Sequence, residues 1–130
     1  MSDNKLLSLF NALDGIEKRE CSNYLNSPYF NQRDDVRQLW AVLLKNKGQM
    51  PDPEVLFREV YPEAVFDTAR WHHLQSFLVA RIEGFLAQRA AEQFPLWQDL
   101  QLAPVYRKKK LDKPLQYLLQ RAGNQLGNIP

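Results

Sequence analysis

Two adjacent histidines, His72 and His73, are the residues of this chain that could most readily bind a metal ion or carry a proton. They fall in a segment with helical periodicity, where neighbouring residues point in different directions and zinc pairs need a spacing of four. The residues four positions away are not typical zinc ligands: Thr68, Ala69, Ser76 and Phe77. We therefore predict a pair on the helix surface and no metal-binding residue in the chain.

Cys21 is the single cysteine, so the sequence predicts neither an internal disulfide nor a multi-cysteine metal site. It could act as a nucleophile, but nothing in the sequence places a base beside it, and its short amphipathic helix favours a small, semi-buried residue there. The five glycines form no phosphate-binding loop, and the acids fall at helix starts and on solvated faces. We predict no catalytic residue, no cofactor and no small-molecule substrate, and hence a protein that is not an enzyme.

The basic run Arg107-Lys108-Lys109-Lys110 could contact phosphates, each contact adding salt-dependent affinity. From Ala103 onward six basic residues face one acid, which gives that part a net charge of +5 and the preceding part −3. The same run could instead complement the negative C-terminal end of its own helix as a solvated face. Because four basic residues are few and the remainder is acidic, nucleic-acid contact at residues 107–110 is the alternative rather than the leading hypothesis.

Two further groups could meet a partner protein. Tyr29 and Phe30, in a turn next to Pro28, could close the core or anchor a partner, and a position beside a helix cap favours the structural role. One face of the last predicted helix carries Leu115, Leu118 and Leu119. Because a terminal helix pair needs a neighbour or a polar cap, we predict that this face is partly uncovered and serves in docking or self-association.

Composition and length limit the class of protein. The chain has 130 residues, the size of one domain, and its 45% hydrophobic and 25% charged residues are typical of a soluble globular protein. No apolar run approaches the ~20 residues that span a bilayer. The first residues lack the pattern of a signal peptide, and one cysteine agrees with a reducing compartment. We expect a cytoplasmic protein without membrane contact.

Helical periodicity accounts for almost the whole chain, and no segment alternates as strands do. The longest periodic segment, about residues 67–94, carries an apolar stripe at steps of three and four: Trp71, Leu74, Leu78, Ile82 and Phe85. Helix boundaries are predicted at an Asp14–Glu17 capping box, an N-cap at Asn31, a left-handed stop at Gly48 and an Asp52-Pro53 start.

The predicted fold is therefore all-α, a compact multi-helix bundle of about six to seven helices around one long central helix at about 67–94. We predict a single helical domain over residues 1–122 and a loose tail over 123–130. Pro95 and Pro104 are expected either to kink the helices that contain them or to mark their boundaries.

Several packing and turn motifs occur in a recognisable order: Ser27-Pro28-Tyr29-Phe30-Asn31, Leu56-Phe57 before Tyr61-Pro62, the helix after Asp67, and Leu111-Asp112-Lys113. Together they resemble the N-terminal region of an uncharacterised family of larger, all-helical bacterial proteins with a tail of stacked helix pairs, similar to tetratricopeptide repeats. The resemblance covers about Leu6 to Ala122 and implies an all-helical fold without an assigned activity. The chain differs from that family in its shorter length and in carrying Pro104.

These observations favour a non-enzymatic helical module for protein interaction or scaffolding, the N-terminal unit of a larger helical assembly. A protein partner or self-association is expected. The alternative is a small helical nucleic-acid-binding or regulatory domain that uses residues 107–110.

Overall fold

A computed structural model describes residues 2–49 and 52–127. The structure is 79% helical, and no strand occurs in these two ranges. The described residues form seven α-helices, in chain order α1 Ser2–Ala12, α2 Gly15–Asn26, α3 Asp34–Lys45, α4 Pro53–Val60, α5 Thr68–Glu92, α6 Pro95–Lys108 and α7 Asp112–Gly127. The predicted all-α class is therefore confirmed.

The chain divides into two compact units, unit 1 (Met1–Phe85) and unit 2 (Leu86–Pro130), where the sequence analysis predicts one domain over residues 1–122. The boundary falls inside α5. The tail predicted to be loose over residues 123–130 is helical as far as Gly127, where α7 ends. A single glycine such as Gly123 costs a helix only about 1 kcal/mol, so it does not end α7. Residues 128–130 lie outside the described ranges.

Unit 1 contains an extensive apolar core. The stripe predicted on α5 is confirmed, since its five residues are each at most 6% exposed. The first four helices contribute most of the other large buried side chains: Leu6, Phe10, Leu25, Val36, Leu39, Trp40, Leu43, Leu56 and Phe57. Full burial of one such side chain contributes about 1.5–3 kcal/mol, so most of the hydrophobic stabilisation is located in unit 1.

Short-range hydrogen bonds set the starts of α2 and α4 as the sequence predicts. The Glu17 amide donates to Asp14 Oδ1 at 2.8 Å, and the Asp14 amide donates to Glu17 Oε1 at 2.9 Å. This reciprocal pair is the predicted capping box. At α4 the Glu54 amide donates to Asp52 Oδ1 at 3.1 Å, and Pro53 is the first helical residue.

The start of α3 differs from the prediction, because Asn31 is not its N-cap. Asn31 Nδ2 donates to the carbonyls of Leu25 (3.0 Å) and Arg33 (3.2 Å), and its Oδ1 accepts from the Arg33 amide (3.2 Å). The buried Asn31 side chain thus holds the turn that precedes the helix. The helix begins later, at Asp34, with Arg33 in the cap position.

The ends of α3 and α6 share one backbone geometry. Lys47 and Lys110 have φ values of 54° and 58°, and Gly48, the predicted left-handed stop, has 75°. The Gly48 amide bonds to the Leu43 carbonyl at 3.0 Å, and the Leu111 amide bonds to the Tyr106 carbonyl at 2.9 Å. These six-to-one bonds are those of the Schellman motif. At the end of α6 this sharp turn leads directly into α7.

Unit 2 consists of the last turns of α5 together with α6 and α7, and α6 packs against α7. Pro95 is the first residue of α6, where its missing amide costs nothing. Pro104 lies inside the same helix, so neither proline divides it. Only two apolar side chains of the described part of unit 2 are buried, Ala103 and Leu118.

Candidate protein-docking surface

His72 and His73 are both exposed on α5, as expected for a helix-surface pair. Within residues 2–49 and 52–127, no three His, Cys, Asp or Glu side chains are grouped so that they could hold a metal ion.

Cys21 is fully buried in α2. Burial raises the pKa of its thiol from 9.0 to about 12, because the charged thiolate would lose its hydration. At neutral pH the side chain is therefore a protonated thiol that packs as a small apolar group.

The leucine face predicted on α7 needs a correction. Leu118 is only 2% exposed and Leu115 is partly buried, whereas Leu119 is 48% exposed. Leu118 is three residues from Arg121, whose guanidinium reaches Asp99 on α6, so both lie on the face turned towards α6. Leu118 is therefore used in internal packing. The exposed large apolar residues of α7 are Tyr117, Leu119 and Leu126, so Leu119 is the one predicted leucine that is exposed.

A charged pair fixes this arrangement of α6 on α7. Arg121 Nη2 lies 2.7 Å from Asp99 Oδ1, and Nε lies 3.2 Å from Oδ2, a two-pronged geometry that orients both groups. Asp99 is 4% exposed. These hydrogen bonds to Asp99 raise the pKa of Arg121, so its guanidinium stays charged at neutral pH. The face of α6 that carries Asp99 and Ala103 therefore packs against α7.

Another face of α6 borders an open apolar groove. The groove runs between the last turns of α5 and α6, has a volume of about 640 Å³, and is lined by Ala87, Gln88, Ala91, Trp97, Gln98, Gln101, Leu102 and Val105. Its small α5 residues leave room beside the larger side chains of α6. Gln98 Nε2 donates to the Ala91 carbonyl at 3.3 Å and so ties the two walls together. No charged residue lines it.

Large apolar side chains remain exposed in and around this groove. Trp97 is 60% exposed and Val105 is 43% exposed in its lining, and Phe94, the residue before α6, is 59% exposed. Leu100, which does not line the groove, is 60% exposed on another face of α6. Single exposed apolar residues are common on protein surfaces, but a group of this size next to a groove is typical of an interaction site. This surface, the α5–α6 groove, is the strongest candidate site in unit 2.

The predicted basic run begins two residues after Val105, which lines one end of the groove. Arg107 and Lys108 close α6, Lys109 is its cap, and all four side chains through Lys110 are exposed. Unit 2 as a whole has seven basic and three acidic residues, a net charge of +4, whereas unit 1 has ten basic and twelve acidic residues, a net charge of −2. The groove therefore belongs to the positively charged unit.

The α5–α6 groove is not evident from the sequence because of the apolar pattern of α6. Its apolar residues do not form one stripe, because Leu96, Trp97, Leu100, Leu102 and Val105 point around most of the helix. Such a pattern does not distinguish the packed face from the exposed one. The number of apolar residues around α6 is itself a signal in the sequence. One partner helix cannot cover apolar residues on all sides of α6, so some of them must stay exposed.

In unit 1 the two aromatic residues after Pro28 have different environments. Phe30 is partly buried and stacks on Tyr24 with ring centroids 4.4 Å apart. Tyr29 is 88% exposed. The structural role therefore applies to Phe30, whereas Tyr29 is open to solvent.

Comparison of the chain with protein-family models, curated proteins and solved structures found no match. In the described ranges, no helix combines the length and the apolar character needed to cross a membrane.

Proposed function

We propose that the chain is a non-enzymatic helical module for protein interaction, the N-terminal unit of a larger helical assembly in the cytoplasm. The observation that carries the proposal is the exposure of Trp97 and Val105, two large apolar side chains that line an uncharged groove in unit 2. Covering that surface with a partner would bury apolar area at about 25 cal/mol per Å². The raised pKa of Cys21 supports a non-enzymatic role, because it removes the thiolate that a cysteine nucleophile needs.

The occupant that fits best is an amphipathic helix of a partner protein. The groove lies between two helical segments, and a helix in a groove places residues i, i+3, i+4 and i+7 on the receiving surface. α6 has 14 residues, so its wall extends for about 20 Å at 1.5 Å per residue. Residues such as Ala87 and Ala91 allow a close approach of the partner backbone.

The charge of unit 2 favours an acidic partner helix. Unit 2 has a net charge of +4, and Arg107–Lys110 are exposed beyond the Val105 end of the groove. Complementary charge increases the rate of association and selects among partners more than it increases affinity. The partner we propose is thus apolar on one face and rich in glutamate or aspartate on the other.

The resemblance to larger helical proteins with stacked helix pairs supports the same role. In such repeat proteins each helix pair buries one face against the next pair, and a terminal pair needs a covering element. An acidic helix that binds in the α5–α6 groove would be such a covering element.

The direct test uses a blocked helical peptide as long as α6, 14 residues, with leucine at the i, i+3, i+4 and i+7 positions and glutamate on the opposite face. We expect binding to the full chain at a Kd of about 10 µM. A matched peptide with lysine in place of glutamate should bind about tenfold more weakly at low salt, and the difference should shrink as salt screens the charges.

Variants locate the binding surface. Trp97→Ala should weaken binding of the glutamate peptide about tenfold or more, since large aromatic side chains dominate such interfaces. The matched control is Val65→Ala, at an 89% exposed apolar position in unit 1, which should not alter binding. Equal binding of both peptides, or unchanged binding by the Trp97 variant, would contradict the proposal. Sedimentation that shows dimers lost in Trp97→Ala would instead identify a second copy as the occupant.

The second candidate function is nucleic-acid binding, which the exposure of all four side chains of Arg107–Lys110 supports. Binding of this kind falls steeply with salt, and about one unit of the logarithmic salt slope is lost per removed contact. Replacing the four residues with serine should then abolish binding to a short RNA or DNA duplex. Retained binding in that variant would exclude this site.

A further inference from the structure

The turn before α3 borders a second pocket, which is located entirely in unit 1. The pocket has a volume of about 280 Å³ and is lined by Tyr29, Phe30, Asn31, Gln32, Arg33, Val36, Phe77 and Arg81. Its charged lining residues are the two arginines, and no acid lines it. This combination of positive and aromatic groups suits a ligand with a negative charge and an apolar part.

Arg81 is the residue that gives the pocket its unbalanced charge. Its side chain is partly buried, and Nη1 donates to the carbonyl of Phe30 at 3.0 Å. No carboxylate within the described residues forms an ion pair with it. A guanidinium has five N–H donors, so the remaining donors of Arg81 are free to bind an oxyanion in the pocket.

Arg33 has a different role in the same pocket. It forms a two-pronged ion pair with Asp35, at 2.7 Å and 3.1 Å, which balances its charge. Its guanidinium also lies over the ring of Phe77, 4.0 Å from the centroid. Arg33 thus supplies a flat, rigid wall next to an aromatic ring, while the uncompensated charge comes from Arg81.

The turn from Tyr29 to Arg33, which forms one side of the pocket, is held by side-chain contacts. Asn31 holds the backbone from Leu25 to Arg33 through the three hydrogen bonds described above. Phe30 is stacked on Tyr24, which contacts Phe85 edge-on at 5.8 Å. A binding site on such a loop loses little conformational entropy when a ligand binds. Tyr29, 88% exposed at the rim, can then close over an apolar group.

We propose that this pocket, the Arg81 pocket, binds a carboxylate that carries an aromatic or other apolar group. The carboxylate pairs with Arg81, and the apolar group packs against Tyr29 and Phe77. Such a carboxylate occurs in a free aryl acid and at the C-terminus of a peptide that ends in an aromatic residue. The site is independent of the α5–α6 groove, so the two proposals can fail separately.

The test is an NMR titration of the isotope-labelled full chain with N-acetylphenylalanine, its neutral amide and 3-phenylpropanoate. We expect N-acetylphenylalanine to shift the backbone amides of residues 29–33 and 77–81, with a Kd of about 1 mM for a ligand of this size. The neutral amide should bind about tenfold more weakly, because it lacks the charge. Tighter binding of N-acetylphenylalanine than of 3-phenylpropanoate would indicate a peptide C-terminus, and the reverse order a free acid.

Two variants and one control keep the proposal testable. Arg81→Gln should weaken N-acetylphenylalanine binding about tenfold. Tyr29→Ala, at a position too exposed to matter for folding, should weaken it about threefold. Tyr117→Ala, at a 68% exposed tyrosine of unit 2, should leave it unchanged.

Equal binding of the acid and the amide would overturn the proposal, as would an unchanged affinity in both Arg81→Gln and Tyr29→Ala. Inorganic phosphate serves as a further probe at matched ionic strength. Tighter binding of phosphate than of N-acetylphenylalanine at these same amides would show a general oxyanion site and contradict the role of the apolar group.

Discussion

Unit 1 and unit 2 differ in the burial of their apolar side chains: unit 1 contains most of the buried ones, whereas unit 2 leaves many exposed. Among the described residues, 18 of the 20 buried apolar side chains lie in unit 1, and only Ala103 and Leu118 lie in unit 2. Unit 2 nevertheless has eight of the 14 exposed large apolar side chains in about a third of the chain. Stability is thus concentrated in unit 1, and apolar surface suited to a partner is concentrated in unit 2.

The largest expected effect compares two tryptophans, one from each unit. Trp71 is 2% exposed and Trp97 is 60% exposed. Trp71→Ala should lower the free energy of unfolding by about 3–5 kcal/mol, because it removes a large side chain from a packed core. Trp97→Ala should change it by less than about 0.5 kcal/mol. Urea unfolding followed by circular dichroism measures both. Similar losses in the two variants would remove the distinction between the units.

Unit 2 should depend instead on the ion pair between the buried carboxylate of Asp99 and the partly exposed side chain of Arg121. Arg121→Gln leaves the carboxylate of Asp99 buried without its cation, which is strongly destabilising. We expect amide hydrogen exchange in α6 and α7 to become at least about tenfold faster, with α1 to α4 unchanged. Arg121→Lys should restore part of the protection. Unchanged exchange in Arg121→Gln would mean that apolar contacts alone hold α6 on α7.

Among the described residues of the unit 1 core, the amide of Gln75 and the indole N–H of Trp71 are buried without hydrogen-bond partners. Gln75 is fully buried, and neither its Nε2 nor its Oε1 forms a hydrogen bond. Gln75→Met should raise the free energy of unfolding by about 1–2 kcal/mol, because an unsatisfied buried amide is costly. Gln38→Met, at an exposed site on α3, is the control and should be neutral. A loss of stability in Gln75→Met would show that the amide is hydrogen-bonded in solution.

The smallest effect is the acid sensitivity of unit 1. Burial raises the pKa of Asp35, but hydrogen bonds from Arg33 and Tyr61 outweigh it and the net pKa is lowered. The resulting stability is present above the ordinary carboxyl pKa of about 3.9 and is lost as the pH falls through the lowered value. We expect a loss of under about 1 kcal/mol, since the pair is partly exposed.

Thermal unfolding between pH 5 and pH 2 measures this loss. Asp35→Asn should remove part of the pH dependence, whereas Glu63→Gln, at an exposed site, should keep it. An identical pH profile in wild type and Asp35→Asn would exclude the carboxylate as a source of acid sensitivity.

Sequence patterns predicted unit 1 more completely than unit 2. On α5 the steps of three and four leave one face to bury, so Trp71 and its neighbours could be assigned in advance. The Asp14–Glu17 box and Asp52-Pro53 depend on neighbouring residues only, and they too were predictable. Asn31 was assigned wrongly, because its hydrogen bonds to Leu25 and Arg33 depend on how the turn folds back.

In unit 2, the contact between α6 and α7 decides which helix faces are buried, and the spacing of apolar residues does not reveal that contact. The α7 leucines could meet either α6 or solvent, and the pairing of Asp99 with Arg121 turns Leu118 inward. The same pairing leaves Trp97 outward. The apolar surface best suited to docking is therefore the α5–α6 groove rather than the face with Leu115, Leu118 and Leu119. Both surfaces lie in the basic part of the chain, which the charge pattern of the sequence indicates.

The most direct test of the central claim, that the α5–α6 groove receives an acidic amphipathic helix, is tryptophan fluorescence. Trp40 and Trp71 are 3% and 2% exposed, so acrylamide quenching reports mainly on Trp97. Saturation with the glutamate peptide should protect Trp97 from acrylamide and shift its emission to shorter wavelength, and Trp97→Phe should show neither change. Unchanged quenching at saturating peptide, or the same protection in Trp97→Phe, would contradict the claim.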